Sequence, residues 1–273
     1  MLKEQIRNIQ TEASNLMLHS VQINPTELCN RKCSFCPRHD AEVYPNANKH
    51  VDEYTIKKLC TDLKNIGFNN RVGFAGFGEP LLHRDIFSCI KIVRDILPDL
   101  KYLEIVTNGD KLSREVIEKL YNAGCNLICI SMYDEDKSQY FTDIKGNIPI
   151  DLIFSHNYKQ EENYGLNIVN RSDIIKRAGS YFKKPCYIPF YKLFVDWSGD
   201  ILLCENDWTK SKNFGNINKL EINDIWFSDH FNEVRKGLLT DRKEFPCNNC
   251  NVCGTKRGIN SVDIFKKSIQ SVQ

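Results

Sequence analysis

The stretch Cys29-Asn30-Arg31-Lys32-Cys33-Ser34-Phe35-Cys36 decides the fold predicted for this chain. Its three cysteines follow directly on a strand-like segment, Ser20 to Asn24. Three thiolates on one loop can bind three irons of a cubane cluster, and because such clusters normally take four cysteines, one iron is left open. The same cysteines also allow a zinc site, completed by a histidine such as His39.

Beyond this loop, strand-like and helix-like segments alternate through the first two thirds of the chain. Strands are predicted at 20–24, 71–75, 103–107 and 126–131, and amphipathic helices at 54–66, 84–96 and 113–123. This alternation predicts the α/β class, with parallel β/α units in a wholly or partly closed barrel and chemistry at the carboxyl ends of the strands. From 135 to 165 the pattern weakens, and Lys145 to Pro149 reads as a loop.

Two further motifs lie at the ends of predicted strands. Gly76-Phe77-Gly78-Glu79-Pro80 follows the second strand, and Val106-Thr107-Asn108-Gly109 ends the third. A Gly-Glu-Pro sequence alone is also common in solvated turns. Together with the cysteine loop, however, the ordered series resembles the radical S-adenosylmethionine (SAM) superfamily.

This resemblance implies a cofactor and its ligands. Cys29, Cys33 and Cys36 would hold a [4Fe-4S] cluster that binds SAM and cleaves it to a 5'-deoxyadenosyl radical. The glycine-rich motif would hold the methionine amino group, the Thr-Asn motif would lie near the ribose, and the aromatic residue of the cysteine loop would lie by the adenine. The implied SAM-binding residues are Phe35, Gly76, Gly78, Glu79, Pro80, Thr107 and Asn108.

A second cysteine group lies downstream, on both sides of a hairpin signal at Ser198-Gly199-Asp200. It resembles the SPASM/twitch extension of radical SAM enzymes, in which a hairpin and a later cysteine pair enclose an auxiliary [4Fe-4S] cluster. Five cysteines favour the one-cluster twitch form, and four of them can alternatively form a closed zinc site. The implied ligands are Cys186, Cys204, Cys247 and Cys250, which leaves Cys253 spare.

Three regions are therefore expected along the chain. Residues 1–165 form a partial (β/α) radical SAM barrel, and residues 166–185 form a linker. Residues 186–273 form a small twitch (SPASM-like) domain with a β-hairpin and a C-terminal helix. No internal repeat or low-complexity tract interrupts this order.

Composition restricts the partners. A net charge of +2 without a Lys/Arg stripe disfavours nucleic acid, and no apolar stretch approaches the roughly 18 residues of a membrane span. The start of the chain lacks an apolar h-region, which predicts a cytoplasmic protein. We expect a small-molecule substrate and, from the family resemblance, an external one-electron reductant of the flavodoxin or ferredoxin type.

The reaction is inferred from the same resemblance. Among twitch enzymes the chain is most similar to radical SAM dehydrogenases of the 2-deoxy-scyllo-inosamine dehydrogenase type. That similarity implies oxidation of a secondary alcohol of a sugar, aminosugar or cyclitol to a ketone, with the auxiliary cluster accepting the second electron. Arg171 could orient the hydroxyl or stabilise developing alkoxide charge, and Glu205 and Asp207 are candidate proton acceptors.

Three other functions stay open at this point. A radical epimerase would need a thiol to return a hydrogen atom, and Cys253 or Cys129 could supply it. A peptide-modifying enzyme commonly carries a peptide-binding winged-helix domain, for which the 28 residues before Cys29 are too few. A non-catalytic iron-sulfur or zinc scaffold is disfavoured by the intact SAM motifs.

Overall fold

The computed structural model describes residues 18–156 and 185–239, together with Cys247 and Cys250. These residues form a mixed α/β structure. The strands are β1 (Ser20–Ile23), β2 (Arg71–Phe74), β3 (Tyr102–Thr107), β4 (Leu127–Met132), β5 (Asp151–His156), β6 (Lys192–Val195), β7 (Asp200–Leu202) and β8 (Asn213–Asn216). The helices are α1 (Glu53–Asn65), α2 (Ile86–Ile96), α3 (Arg114–Asn122), α4 (Ser138–Lys145), α5 (Ile222–Trp226) and α6 (Asp229–Leu239).

The eight strands form one sheet in the order β5-β4-β3-β2-β1-β6-β7-β8. The six strands from β5 to β6 in this order are parallel. Strand β1 lies between β2 and β6, with Ser20 opposite both Arg71 of β2 and Lys192 of β6. Strands β7 and β8 add an antiparallel extension. The predicted partial barrel is confirmed, and β6, predicted as part of a separate small domain, is its sixth parallel strand.

Local sequence explains why the first helices form where they do. The Asp52 side chain accepts a hydrogen bond from the Thr55 amide at 2.8 Å and caps α1. Ser113 caps α3 in the same way, and the chain leaves that helix through Gly124, whose φ of +101° suits glycine. Within α1, buried Ile56, Leu59 and Leu63 recur at helical spacing and pack on the sheet.

The described part of the weakly patterned region, residues 135–156, contains more regular structure than its pattern predicts. Lys145 ends a helix, α4, and β5 follows after a short loop that begins at Gly146, with φ of +54°. The hydrophobic pattern in the sequence is weak here for two reasons. Strand β5 lies at the edge of the sheet, where Ile153 is 47% exposed, and α4 buries only Phe141.

The hydrophobic core lies between the sheet and helices α1 to α3, and it holds most of the scattered cysteines. Cys60, Cys89 and Cys125 are buried in this core, as expected for small apolar side chains. Within the described part of the chain, no helix combines the length and apolarity needed to cross a bilayer.

Candidate active site

A cavity of about 240 Å³ lies at the carboxyl ends of β1 to β4. Parallel strands bring their following loops together at this edge of the sheet. All three cysteines of the first loop line the cavity, as do six of the seven residues predicted to bind SAM: Phe35, Gly76, Gly78, Glu79, Thr107 and Asn108. The seventh, Pro80, begins a short 3-10 turn behind Glu79 and does not line it.

The first cysteine loop presents three half-buried thiols to this cavity. Asn46 holds the loop by accepting a hydrogen bond from the Cys29 amide at 2.8 Å and donating one to the Cys29 carbonyl at 3.1 Å. Burial raises the pKa of Cys29 and raises that of Cys33 to about 11. These thiols therefore need the positive charge of bound iron to become thiolates at neutral pH.

Arg31 fastens the same loop to the neighbouring strand ends. Its guanidinium forms a bidentate pair with Asp110, after β3, and a 2.8 Å bond with Asp134, after β4. Asn30 adds hydrogen bonds to Asp110 and Asn108. Sequence reasoning missed this clamp because its partners lie far apart along the chain.

Glu79 is 3% exposed and lies at the wall of the cavity. Its carboxylate accepts hydrogen bonds from the Thr107 hydroxyl at 2.7 Å, the Asn108 amide at 2.8 Å and the Leu81 amide at 3.1 Å. Burial is the main cause that raises its pKa, and these three donors oppose the rise. The side chain thus joins the two SAM motifs and retains accepting capacity toward the cavity.

Steric constraints require glycine at both Gly76 and Gly78. A Cβ on Gly76 would lie 2.4 Å from the Asn24 side-chain oxygen, and one on Gly78 would lie 2.3 Å from the Thr26 carbonyl oxygen. Only glycine lets the loop after β2 approach the end of β1 this closely.

Further cavity residues were missed from sequence. Tyr133, directly after β4, packs on Phe35 with ring centroids 5.3 Å apart and extends the aromatic wall. Its place at a strand end is a signal that could have found it. Arg38 and Trp208 also line the cavity, but nothing in their local sequence distinguishes them.

The second cysteine group is brought together by the fold. Burial and the neighbouring thiols of Cys250, Cys247 and Cys186 raise the pKa of Cys204 well above its usual value. The Cys186 amide is anchored by the Leu238 carbonyl at the end of α6, at 3.0 Å. Aromatic residues surround the group, as Tyr187, Phe190 and Tyr191 form a buried cluster against it. Arg171 and Cys253 lie outside the described residues.

Neither cysteine group has the arrangement of a single zinc ion. Zinc needs its ligands about 2.0 to 2.3 Å from one point, and among the described residues no three Cys, His, Asp or Glu side chains converge in this way. His39 is exposed, and its ring nitrogen contacts the Lys32 carbonyl at 3.1 Å outside the cavity. Cys29, Cys33 and Cys36 form no disulfide and line one cavity, which suits a cubane, in which each thiolate binds a different iron.

Of the two candidate proton acceptors after Cys204, only one lines the cavity. Glu205 lines the cavity directly after Cys204. Asp207, in contrast, shapes a turn by accepting hydrogen bonds from the Thr209 hydroxyl at 2.9 Å and the Lys212 amide at 3.0 Å. Cys129 lies within β4 and does not line the cavity.

A buried ionic network seats the hairpin against the first cysteine loop. Lys210 bonds to Glu27, two residues before Cys29, and to Asp196 at the end of β6, at 2.7 Å. The Trp197 indole also donates to Glu27 at 3.1 Å. Glu205 itself pairs with Lys192 of β6, at 3.4 Å.

Comparison with known proteins agrees with this geometry. The family model of the Radical SAM superfamily matches residues 23–137, and that of the SPASM iron-sulfur cluster-binding domain matches residues 186–254. The chain belongs to the radical SAM superfamily. It is a radical SAM enzyme with a SPASM domain, and its cofactors are SAM, a [4Fe-4S] cluster and auxiliary iron-sulfur chemistry in the SPASM domain.

Two curated relatives are similar to this chain over different lengths. The chain is 24% identical over 238 residues to the S-adenosyl-L-methionine-dependent 2-deoxy-scyllo-inosamine dehydrogenase of Niallia circulans, covering 85% of this radical SAM chain and 92% of that protein. It is 31% identical over 120 residues to the GTP 3',8-cyclase of Chlorobaculum tepidum, covering 44% of this chain and 34% of the cyclase.

Solved structures extend the likeness in fold. The crystal structure of BtrN in complex with AdoMet and 2-DOIA superposes with a TM-score of 0.72 at 23% identity, covering 86% of this chain and 93% of that one. Native anSMEcpe with bound AdoMet gives a TM-score of 0.56 at 14% identity, covering 93% and 98%. Both show the fold of this radical SAM enzyme.

Proposed function

We propose that this enzyme is a radical SAM oxidoreductase that oxidises a secondary alcohol of a small polar substrate, a sugar, aminosugar or cyclitol, to a ketone. One observation carries the proposal: a single cavity is lined by the thiols of the first cysteine group and by Glu205, which is adjacent in sequence to Cys204 of the second. The likeness to the Niallia circulans dehydrogenase supports the same reaction class.

The cofactor residues fit the chemistry that the proposal needs. Cys29, Cys33 and Cys36 would hold the first [4Fe-4S] cluster, and Glu79 would accept a hydrogen bond from the SAM ammonium. When bound, this cofactor pair would supply the radical chemistry needed to remove a hydrogen atom from the carbinol carbon. The chain's own part is to orient SAM and to keep the cavity narrow and enclosed.

After the carbinol carbon has lost its hydrogen atom, the substrate must lose its hydroxyl proton and one electron to become the ketone. Glu205 is the proton acceptor in this proposal because its carboxyl lines the cavity, whereas Asp207 is committed to its turn. Cys186, Cys204, Cys247 and Cys250 would hold the auxiliary [4Fe-4S] cluster, whose chemistry when bound is acceptance of the electron. Arg171 would orient the hydroxyl.

We also propose the boundaries and partners that go with this function. Residues 1–165 form the barrel, residues 166–185 the linker and residues 186–273 the twitch domain, although β6 continues the barrel sheet. An external one-electron reductant of the flavodoxin or ferredoxin type would reduce the first cluster. The substrate is a small molecule, so neither nucleic acid nor membrane takes part.

Product analysis tests the proposal. Anaerobically reconstituted enzyme is incubated with SAM, a reductant and either 2-deoxy-scyllo-inosamine or scyllo-inositol. We expect 5'-deoxyadenosine together with a ketone that has lost two hydrogen atoms, both measured by mass spectrometry. In Glu205→Gln, 5'-deoxyadenosine should still form while the ketone falls strongly.

The same assay in heavy water separates oxidation from epimerisation. An epimerase returns a hydrogen atom from an exchangeable thiol, so deuterium enters a stable carbon position and the product gains one mass unit. That result would overturn the dehydrogenase proposal. Oxidation leaves the carbon-bound hydrogens of the ketone's skeleton unlabelled, apart from positions that exchange next to the carbonyl.

A further inference from the structure

Arg38 is a buried cation whose charge is not paired within the described residues. It is 4% exposed and lies two residues after Cys36, in the wall of the cavity. Its guanidinium donates to the carbonyls of Phe77 and Pro45 and to the Asn46 side chain, all neutral acceptors. Its Nη2 is buried and has no hydrogen-bond partner among those residues.

Trp208 presents a second donor of the same kind. It is 5% exposed, lines the same cavity from the hairpin side, and its indole Nε1 is buried without an acceptor in the described part of the chain. The ring packs on Phe77 and Tyr44, with both centroids at 4.7 Å. A buried tryptophan N–H normally finds a partner.

The two donors line one cavity and share their supporting residues. Arg38 lies over the Tyr44 ring at 4.9 Å and bonds to the Phe77 carbonyl, so both donors share the support of Tyr44 and Phe77. They come from different domains, one from the loop after the first cysteines and one from the loop after Cys204. Leaving such donors unsatisfied is costly, and more so for a charged one. Because both donors lie in the wall of the cavity, we infer that a bound ligand supplies their hydrogen-bond acceptor.

We propose that Arg38 Nη2 and Trp208 Nε1 together bind one oxygen acceptor of the substrate, a hydroxyl or a carboxylate. This inference rests on the proposed function and adds a specificity rule to it. An ammonium group is excluded from this position because Arg38 carries an uncompensated positive charge there. The amine of an aminosugar would have to lie elsewhere in the cavity.

Binding to the unreduced holoenzyme tests this rule without turnover. Isothermal titration measures first the SAM affinity and then, with SAM saturating, the affinities of 2-deoxy-scyllo-inosamine, scyllo-inositol and glycolate. Trp208→Phe keeps the ring and removes the N–H, so we expect about fivefold weaker binding of the probes that bind. Arg38→Lys removes a charge-assisted donor, and we expect a loss of about tenfold or more.

Trp226→Phe is the matched control. Trp226 is buried at the end of α5 and does not line the cavity, so probe affinities should match the unsubstituted enzyme. Retained iron content and SAM affinity in Trp208→Phe show that the fold survives.

Four results would overturn the inference. The first is that no probe binds the unsubstituted holoenzyme, and the second is that neither Trp208→Phe nor Arg38→Lys changes probe affinity. The third is weaker SAM binding with unchanged probe binding, which would assign the donors to the SAM carboxylate. The fourth is a shifted reduction potential of the first cluster in Arg38→Lys alone, which would make Arg38 a charge partner of the thiolates. If probe affinity falls in both variants but no ketone is formed, the proposed reaction is rejected and the binding role of Arg38 and Trp208 stands.

Discussion

The two cysteine groups of this enzyme lie in opposite surroundings. The first group occupies eight consecutive residues on a polar loop that Arg31 and Asn46 clamp to its neighbours, and its thiols face a cavity. The second group is gathered from the hairpin and from Cys247 and Cys250, and aromatic side chains enclose it. An open site with three thiols suits a cluster that binds SAM, whereas an enclosed site with four suits one that only exchanges electrons.

The cysteines of both groups are partly exposed, so the difference between the groups lies in their neighbours. The first thiols are half-buried and lie beside residues that can bind SAM. In the second group, burial first and the charges of the neighbouring thiols second raise the pKa of Cys204 well above its usual value. A ligand-binding site must admit ligand and an electron site must exclude it, and the two environments follow from those needs.

The strongest test removes one thiol from the open site. Cys33→Ala should abolish SAM cleavage because two remaining thiolates cannot hold the cluster in a state that binds SAM. Production of 5'-deoxyadenosine under reduction, measured by mass spectrometry, is the readout. Formation at the rate of the unsubstituted enzyme would contradict the assignment of the first group.

Removing a thiol from the enclosed site should have a different result. Cys186→Ala is expected to lower bound iron from about eight to about four atoms per chain, to retain some SAM cleavage and to lose the ketone. The ratio of ketone to 5'-deoxyadenosine measures this uncoupling. Cys129→Ala, a half-buried cysteine of β4 away from the cavity, is the matched control and should leave the ratio unchanged. An unchanged ratio in Cys186→Ala would remove the electron-accepting role.

A smaller effect is expected from the carboxylate beside the open site. Glu79→Gln keeps an acceptor for Thr107 and removes a charge-assisted bond to the SAM ammonium, which is worth roughly 1.5 to 3 kcal/mol. SAM affinity should therefore fall about tenfold or more. Glu104→Gln is the control, since Glu104 is also buried and pairs with Arg71 at 3.4 Å away from the cavity. Equal SAM affinities for both variants would exclude Glu79 from the site.

The smallest effect concerns pH and distinguishes the two regions without substitution. His83, directly behind the Glu79 motif, is 4% exposed, and burial lowers its pKa. Its ring contacts the Val51 carbonyl at 2.8 Å through one nitrogen and accepts from the Asp85 amide at 3.0 Å through the other, so the neutral form is bound. The stability contributed by this neutral ring is full above the unfolded histidine pKa of about 6.5 and is lost as pH falls through the lower folded value.

Hydrogen exchange followed by mass spectrometry checks this expectation. Exchange in the segment 79–86 should rise from about pH 6.5 downward, by at most about tenfold per pH unit for one titrating group. After correction for intrinsic rates, the segment 186–204 should not follow the same curve. In His83→Gln the step should disappear, and its persistence would assign it to another group.

The first site could be predicted from sequence because its ligands are local. Cys29 to Cys36 lie on one loop, and the motifs at Gly76 and Thr107 each end a strand, so the parallel sheet alone brings them to one edge. The helix that begins after Ser113 was also readable, because its cap and its apolar spacing are local signals. The strand β5 was not, since an exposed edge strand has little alternation to detect.

What the sequence by itself determined, then, is the class of the enzyme: the cofactor loop, the motifs at strand ends and the cysteines of the second group. Only the tertiary structure decided how these parts are used. It placed Glu205 in the cavity, continued the barrel through β6, and brought Arg38 and Trp208 to one cavity. The physical reason is separation along the chain, because contacts across 150 residues or more depend on packing and leave no periodic or spacing pattern in the sequence.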